Sequence, residues 1–321
     1  MKKLFTLLVT LILCISSCFC FTACSGDGDG DGDNTPTELS FTASFDLKNT
    51  MLAVSDGSMD IAVIEISSAK YFIHQDYSNL SIISGDDFLF NPSSFVVASK
   101  KNTNVDDYIN AALYSMQQSG KLASLASQYG LEDLLLTIPE PSVSVTTEPD
   151  AGSLFADIKS RNYLFAGYSY QNADAHAPLN FGISQLGHSY GFFPDLLLEV
   201  YRLYDFPNQH VNGNTTPCVD NIKYVPWDEK ELFLQIPPST SSSDAGIDVI
   251  WGGIENTSEN QTAFDLSSPY LKTGHVLVVR TADLSKYSSF SAMANAKFTA
   301  VDDSLGETLI KGAIKDAALG N

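Results

Sequence analysis

The sequence predicts an α/β fold in which short buried strands alternate with helices. Residues 248–251 form a short apolar run that Gly252 and Gly253 end, as expected for a buried strand that stops at a turn. Residues 191–195, Gly-Phe-Phe-Pro-Asp, precede an apolar stretch that predicts a helix over 196–204. The chain has 321 residues, 44% hydrophobic and 17% charged, so it can bury a full core in roughly one or two domains.

The remaining elements are implied by a resemblance to a family of binding proteins, whose motifs are given in the next two paragraphs. Strands are expected over 163–168, 224–227, 275–280 and 298–301, with a helix over 307–318. In the first third of the chain we expect a helix and a strand within 41–73, a strand over 95–99 and helices within 105–130.

Residues 248–270 resemble a segment of one family of binding proteins. The matching positions are Asp248, Gly253, Thr257-Ser258-Glu259-Asn260 and Leu266-Ser267-Ser268-Pro269-Tyr270. They resemble the first lobe of the type 2 solute-binding proteins of amino-acid ABC transporters, which reads D-hydrophobic-x-x-x-G, then T-x-E-R, then F-S-x-P-Y. The resemblance implies a two-lobe periplasmic-binding-protein-like type II fold with a hinge between the lobes.

A second block, residues 41–73, resembles the later part of the second lobe of the same family, with a helix, a G-x-x-D-hydrophobic strand and a Y-F-I close. In the usual order this block follows the one that contains Asp248. Here it precedes that block by about a lobe's length of chain. The chain therefore resembles a circularly permuted member of the family. A fragment of a tandem array, completed by exchange of lobes between two chains, has the same content and stays open as an alternative.

The resemblance implies a division of the chain into seven segments. They are a lipoprotein signal peptide (1–23), an acidic flexible tether (24–40), the second part of lobe 2 (41–92), the closing helices of lobe 1 (93–140), a linker (141–160), the main part of lobe 1 (161–277) and the first part of lobe 2 (278–321).

The first residues have the pattern of an export signal: Lys2 and Lys3, an apolar stretch over 4–21, and Phe-Thr-Ala-Cys-Ser-Gly ending at residue 26. The last part resembles a bacterial lipobox with Cys24 as the acylated residue. Cys18 is the second candidate, and an ordinary signal peptide or an uncleaved anchor helix stays open. Each reading predicts an extracytoplasmic protein, and the lipobox predicts lipid anchoring to the bacterial cell membrane.

The tether and the charge of the chain restrict its partners. Residues 27–38 meet the spacing of an EF-hand loop, but an alternating Asp-Gly run does so by composition, and Pro36 interrupts the loop. We therefore expect a flexible acidic tether and no metal site.

The formal net charge of −20 argues against nucleic acid or anionic lipid as partners. Cys218 is the only cysteine after residue 24, so the body has no intramolecular disulfide.

Ligand-binding residues follow from the resemblance, position by position. Asn260 stands where the family has the arginine that binds the ligand carboxylate, and it supplies no charge. Glu65 stands where the family has the aspartate that binds the ligand amine. Glu255 follows the Gly252-Gly253 turn, at which backbone can approach a ligand.

Two further residues complete the predicted site. Asp302 follows a strand of the second lobe, and Trp227 ends a strand at which family members place an aromatic ring against the ligand. Glu65, Glu255 and Asp302 together predict an acidic cleft that favours a cationic ligand. Each carboxylate could instead be a solvated rim charge, and Trp227 could be a core residue.

The sequence thus predicts a lipid-anchored solute-binding protein that captures a small polar, amine-bearing, amino-acid-like solute between two lobes and delivers it to the permease of an ABC importer. A degenerate receptor that acts in sensing or protein interaction is one alternative, and a dehydratase-like enzyme on the same fold is another. No nucleophile, catalytic set, metal site or phosphate loop is recognisable, so we expect no enzyme and no cofactor.

Overall fold

The computed structural model describes residues 38–161, 164–168, 177–181, 190–206, 222–224, 229–237 and 246–320. In this part of the chain the protein is a mixed α/β structure with two sheets. No helix within these ranges has the length and apolar character that crossing a membrane requires.

Eleven strands occur among the described residues. In chain order they are β1 (Ser40–Ser44), β2 (Ile61–Glu65), β3 (Leu80–Ile82), β4 (Leu89–Phe95), β5 (Ala98–Ser99), β6 (Ala166–Tyr168), β7 (Ile222–Tyr224), β8 (Val249–Gly252), β9 (Asp265–Leu266), β10 (Leu271–Arg280) and β11 (Lys297–Val301).

The helices connect these strands and pack on the sheets. They are α1 (Leu47–Ser55), α2 (Ile66–Gln75), α3 (Val105–Gln118), α4 (Lys121–Gln128), α5 (Leu154–Arg161), α6 (Phe192–Leu203), α7 (Lys230–Gln235), α8 (Ser258–Ala263), α9 (Leu305–Leu309) and α10 (Lys315–Leu319). A π-helical turn, Ile310–Ile314, joins α9 to α10 and contains a kink at Gly312. Short 3₁₀ turns occur at Asp86–Phe88, Glu132–Leu134, Thr281–Asp283 and Ser291–Met293.

The two sheets follow the same plan. The six-stranded sheet has the order β1-β11-β2-β10-β3, with β4 also paired to β10, and the five-stranded sheet has the order β7-β6-β8-β5-β9. In each sheet the strand before the last is antiparallel to its neighbours, β10 in one and β5 in the other. The first three strands of each order run parallel. We call each sheet with its packed helices the six-stranded half and the five-stranded half.

Within the described part of the chain, two segments connect the halves, and they pair with each other. The chain passes from β4 to β5 and returns from β9 to β10. Between them, Leu271 pairs with Phe95, Lys272 with Ser94 and Thr273 with Ser93 in antiparallel register. The amide of Tyr270 donates to the Phe95 carbonyl at 3.1 Å and the amide of Ser267 to the Val97 carbonyl at 2.8 Å. We call the two segments, β4 to β5 (residues 89–99) and β9 to β10 (residues 265–280), the crossing strands.

Each half has its own apolar core. The five-stranded half buries Trp251, Tyr270 and Phe192 among the residues of its largest cluster. The six-stranded half packs both faces of its sheet, with Phe298 and Tyr287 on one side and Met51 and Ile64 on the other. Two-sided burial explains why β2, residues Ile61–Glu65, is an apolar run without alternation up to Ile64.

The structure differs from the predicted elements at their ends. The helix predicted from residue 196 begins at Phe192, because Pro194 lies in its first turn, where a missing backbone N–H costs nothing. Of the strand predicted over 224–227, Tyr224 lies in β7, which begins earlier, at Ile222, and residues 225–227 lie outside the described residues. The segment predicted as a linker contains α5, which begins at Leu154 and buries Phe155 and Ile158 against the core.

Candidate functional site

A cavity of about 290 Å³ lies between the two halves, at the crossing strands. Its walls come from both halves and from both crossing strands. The lining residues are Glu65, Ser68, Asn91, Phe95, Leu179, Asn180, Phe193, Gly252, Gly253, Glu255, Thr273, Gly274, His275 and Leu305. Four of the residues predicted from the sequence, Glu65, Gly252, Gly253 and Glu255, are among them.

Glu65 is the last residue of β2 and the N-cap of α2. Its Oε2 accepts hydrogen bonds from the Ser67 amide at 2.8 Å, the Ser68 amide at 3.1 Å and the Ser67 hydroxyl, and its Oε1 accepts from the Thr273 hydroxyl at 2.9 Å. Burial raises the pKa of the Glu65 carboxyl above its ordinary value, while these hydrogen bonds act in the opposite direction. The carboxylate of Glu65 therefore serves as the N-terminal cap of α2.

Glu255 reaches the cavity from the other half. β8 ends at Gly252, and Gly253 has a φ of 78°, a left-handed conformation that favours glycine. The turn brings Glu255 beside a crossing strand, where it forms a bridge with Phe95 and where the amide of Asn256 donates to the Ser94 carbonyl at 2.9 Å. The Glu255 side chain is half-buried. No described residue donates a hydrogen bond to its carboxylate.

Asn260, in the position of the family arginine, does not line the cavity. It lies in α8, where its amide donates to the Thr257 hydroxyl at 3.2 Å and its side-chain nitrogen donates to the Glu255 carbonyl at 2.8 Å. Asn260 thus holds the turn that carries Glu255. The structure gives it this supporting position and leaves its predicted role in ligand binding a prediction.

Asp302 lies outside the cavity lining as well. It is exposed, and its amide donates to the Ser44 carbonyl at 2.9 Å. Its carboxylate lies with those of Asp303 and Glu307, all within 4.8 Å of one another. Lys311 forms an ion pair with Glu307 and partly neutralises this group.

The crossing strands contribute residues that the sequence analysis missed. Thr273, Gly274 and His275 come from β10, at a bulge where the pairing with β4 shifts, and Asn91 comes from β4 with a φ of 48°. Burial lowers the pKa of His275 to about 4, so the imidazole is neutral at pH 7. The sequence signal was the polar Lys-Thr-Gly-His segment that opens an otherwise apolar strand.

The rest of the wall is apolar or uncharged. Phe95 and Phe193 pack edge to face at 5.3 Å between ring centroids, and Leu179 and Leu305 add aliphatic surface. The Ser68 hydroxyl donates to the Ala177 carbonyl at 2.5 Å, which joins α2 of one half to the chain of the other. The site combines apolar walls with a few polar groups, as small-molecule sites commonly do.

The charges that line the cavity are negative. The structure describes the side chains of all but three of the 18 lysines and arginines, the exceptions being Lys2, Lys3 and Lys223. None of the described lysine or arginine side chains lines the cavity. Glu65 and Glu255 are its carboxylates. Two predicted positions, Trp227 and the acylation candidate Cys24, lie outside the described residues and stay predictions.

Comparison with known proteins gives no family for the chain. No family model matches it. No curated protein matches it either. Among solved structures it has similarity to a phosphate ABC transporter, phosphate-binding protein from Streptococcus pneumoniae TIGR4, with 10% identity, a TM-score of 0.37, and coverage of 86% of this chain and 79% of that one. It also has similarity to PfVFT1 of Plasmodium falciparum, with 12% identity, a TM-score of 0.25, and coverage of 57% and 97%.

Proposed function

We propose that this protein is a two-lobe solute-binding protein that captures a small polar, amine-bearing solute between its halves and delivers it to an ABC importer. The observation that supports the proposal is the cavity, which lies between two sheets of the same plan and is lined by both halves and by the strands that connect them. Its volume of about 290 Å³ is close to the lower end, roughly 300 Å³, of small-molecule pockets.

The proposal includes a circular permutation, which the strand orders support. When the chain is followed from β6 and the last described residue is joined to the first, the five-stranded sheet has the order second, first, third, crossing, fourth. On the same path β11, β1, β2 and β3 become the first to fourth strands of the other sheet, and its order is identical. In the order actually used by the chain, this equivalence is hidden because β1 precedes its neighbour β11.

The mechanism that we propose is closure of the halves on the solute. The two crossing strands are the connections between the halves, and a small rotation about them would open the cavity. In the present arrangement α2 contacts the opposite half through three kinds of interaction. They are the Ser68 hydrogen bond to Ala177, the ion pair of Lys70 with Asp133, and the ring contact of Tyr71 with Phe181 at 5.4 Å.

Lipid anchoring through Cys24 and delivery to a permease are part of the same proposal. They rest on the lipobox-like sequence and on the family resemblance of residues 248–270. Palmitate labelling of the expressed chain tests the anchor, and labelling should be lost in Cys24→Ser and kept in Cys18→Ser.

The experiment that tests the receptor function is a thermal-shift screen of the purified full-length chain against amino acids, polyamines, basic metabolites and small peptides. A solute that binds only the folded state raises the unfolding midpoint. A concentration-dependent rise with one class of compound supports the receptor. A flat response across the panel counts against it and favours a degenerate receptor that acts through protein contacts.

A further inference from the structure

We infer that the solute is an amine without a carboxylate or phosphate group, and that Glu255 is its charge partner while Glu65 is a positioning residue. This inference rests on the proposed receptor function and narrows it. Four observations support it: the sign of the cavity charges, the state of the helix N-termini, the hydrogen bonds of Glu65, and the unengaged side chains of the crossing strands.

Among the described residues, no cationic side chain lines the cavity to balance an anionic group. No lysine or arginine with a described side chain lines it, and its imidazole, His275, is neutral at pH 7. The position of the family arginine holds Asn260, which lies outside the lining and donates to a backbone carbonyl. A ligand carboxylate would add a third negative charge beside Glu65 and Glu255. An amine would be attracted to the same two groups.

Backbone amides at helix N-termini are the other usual partners of anions, and at the starts of α2 and α6 these amides are occupied. At α2 the amides of Ser67 and Ser68 donate to Glu65. At α6 the amides of Phe192 and Phe193 donate to the carbonyls of Pro178 and Leu179, at 3.0 and 2.9 Å. An anion bound at the start of α2 or α6 would have to displace these interactions.

The two carboxylates differ in what they already bind. Glu65 accepts four hydrogen bonds, from two amides and two hydroxyls, so its oxygens have little remaining capacity. Glu255 is half-buried at the cavity wall, and among the described residues nothing donates to its carboxylate or forms an ion pair with it. The ammonium group of a solute can therefore bind Glu255 without breaking an existing contact.

Neutral groups of the crossing strands complete the recognition. Asn91 and His275 line the cavity, and no hydrogen bond of either side chain is found within the described ranges. Both can donate and accept. The ligand class is thus a small organic cation that carries one uncharged polar group, with apolar surface against Phe95 and Phe193.

Calorimetric titration of the purified full-length chain with matched pairs tests the ligand class. The pairs are histamine with histidine and tyramine with tyrosine, each of which differs by one carboxylate, and inorganic phosphate is added as a separate titrant. We expect the amine of at least one pair to bind about tenfold more tightly than its amino acid. If an amino acid or phosphate binds more tightly, the receptor function stands and the ligand class is wrong. If none of the titrants binds, the receptor function itself is contradicted.

Substitutions rank the two carboxylates. Glu255→Gln should weaken binding of the amine about tenfold and leave the melting temperature of the empty protein unchanged, because its carboxylate supports no other residue. Glu259→Gln, an exposed charge four residues away, is the matched control and should do neither.

Glu65→Gln keeps one oxygen, which can accept from Ser67 and Ser68, but it places an NH2 group towards Thr273. We therefore expect a lower melting temperature and a smaller loss of affinity than in Glu255→Gln. The inference is overturned if Glu255→Gln binds like the unsubstituted protein, or if Glu65→Gln causes the larger loss.

Discussion

At the scale of single residues, Asp248 is the clearest case of a buried charge with a defined task. Its side chain is fully buried, and its Oδ2 accepts hydrogen bonds from the Arg161 guanidinium and from the Phe165 amide at 2.8 Å. It thereby connects the end of α5 to the start of β6 and β8. The sequence analysis placed Asp248 at the beginning of a strand but gave no sign of Arg161 as its partner, since the two are 87 residues apart.

We expect Asp248→Asn to lower the free energy of unfolding by about 3 kcal/mol, because it breaks a buried ion pair and leaves a charge without compensation. Urea unfolding of both proteins measures the difference. Lys159→Ala is the control, because half-buried Lys159 and exposed Glu148 form a pair at 3.8 Å at the surface, for which we expect a change below about 1 kcal/mol. Equal effects of the two substitutions would contradict the structural role of Asp248.

His275 should make stability depend on pH below neutrality. Burial lowers its pKa from 6.5 to about 4 in the folded state. Between these values the unfolded chain takes up a proton that the folded chain does not, so stability is lost as the pH falls through this window. His275→Gln leaves the neighbouring charged groups in place. They are Lys272, on the same strand, and the carboxylate of Glu65, which is paired with His275 across the sheet. That variant should therefore show a flatter stability profile between about pH 4 and 7 in urea titrations.

Asp106 should act with the opposite sign. It lies in the first turn of α3. Burial, followed by the charges of Asp107 and Asp265, raises its pKa from 3.8 to about 6. Between these values the folded chain holds a proton that the unfolded chain has released, so stability is lost as the pH rises through this window. In Asp106→Asn that loss should disappear. A variant profile parallel to that of the unsubstituted protein would contradict the burial of this carboxyl.

At the scale of elements, two glycines at the cavity, Gly253 and Gly274, differ in why a side chain would be unfavourable there. Gly253 has a φ of 78° and open space around the position of a Cβ. Gly274 has a φ of 148°, and a Cβ there would lie 2.9 Å from Leu89 Cδ1 and 3.0 Å from the Phe90 carbonyl oxygen. The first position is strained only by its conformation, and the second also by the close approach of β4.

We therefore expect Gly253→Ala to lower the free energy of unfolding by about 1 kcal/mol. Gly274→Ala should lower it by about 2 kcal/mol more than Gly253→Ala does. Thermal unfolding monitored by circular dichroism ranks the two variants. The reverse order would show that β4 and β10 are less tightly paired at the bulge than the 2.9 Å approach of Leu89 to a Cβ at Gly274 implies.

Sequence reasoning succeeded for elements whose signals are local. The buried run of β8 and its Gly-Gly end, the apolar strand β11 and the helices of residues 105–130 were confirmed, and the Gly-Phe-Phe-Pro-Asp segment opens α6. The site was only partly predictable. Glu65 and Glu255 line the cavity as predicted positions, while Asn91 and His275 come together only through pairing of strands that are about 180 residues apart. No local pattern contains that information.

At the scale of the whole molecule, a substitution at Tyr71 tests whether contacts between the two halves hold the cavity closed. Its ring contacts Phe181 at 5.4 Å and Tyr129 at 6.5 Å, across the two halves. We expect Tyr71→Ala to increase the radius of gyration of the empty protein in small-angle scattering and to weaken solute binding. Phe290→Ala is the matched control, because Phe290 contacts Phe88 and Phe90 inside the six-stranded half. An unchanged radius in Tyr71→Ala would argue against these contacts as a restraint on opening.

The permutation has its own test. A reordered chain that begins at residue 151, continues to 320, and is joined by a flexible Gly/Ser linker to 38–140 should fold and melt within about 5 °C of the original, because breaks between compact elements are tolerated at surface loops. Sedimentation of the original chain separates a permuted monomer from a lobe-swapped dimer. A reordered chain that remains unfolded would contradict the permuted arrangement.

The pairing of Phe95 with Leu271 has a mechanical consequence. The five-stranded half lies entirely between these two residues, so the chain enters and leaves it side by side, while both ends of the described body belong to the six-stranded half. A pulling force applied to the two ends would first load β1, β11 and their neighbours. The inserted half would stay shielded from tension until β4 separates from β10, and force spectroscopy should therefore record two successive rupture events, with the six-stranded half first.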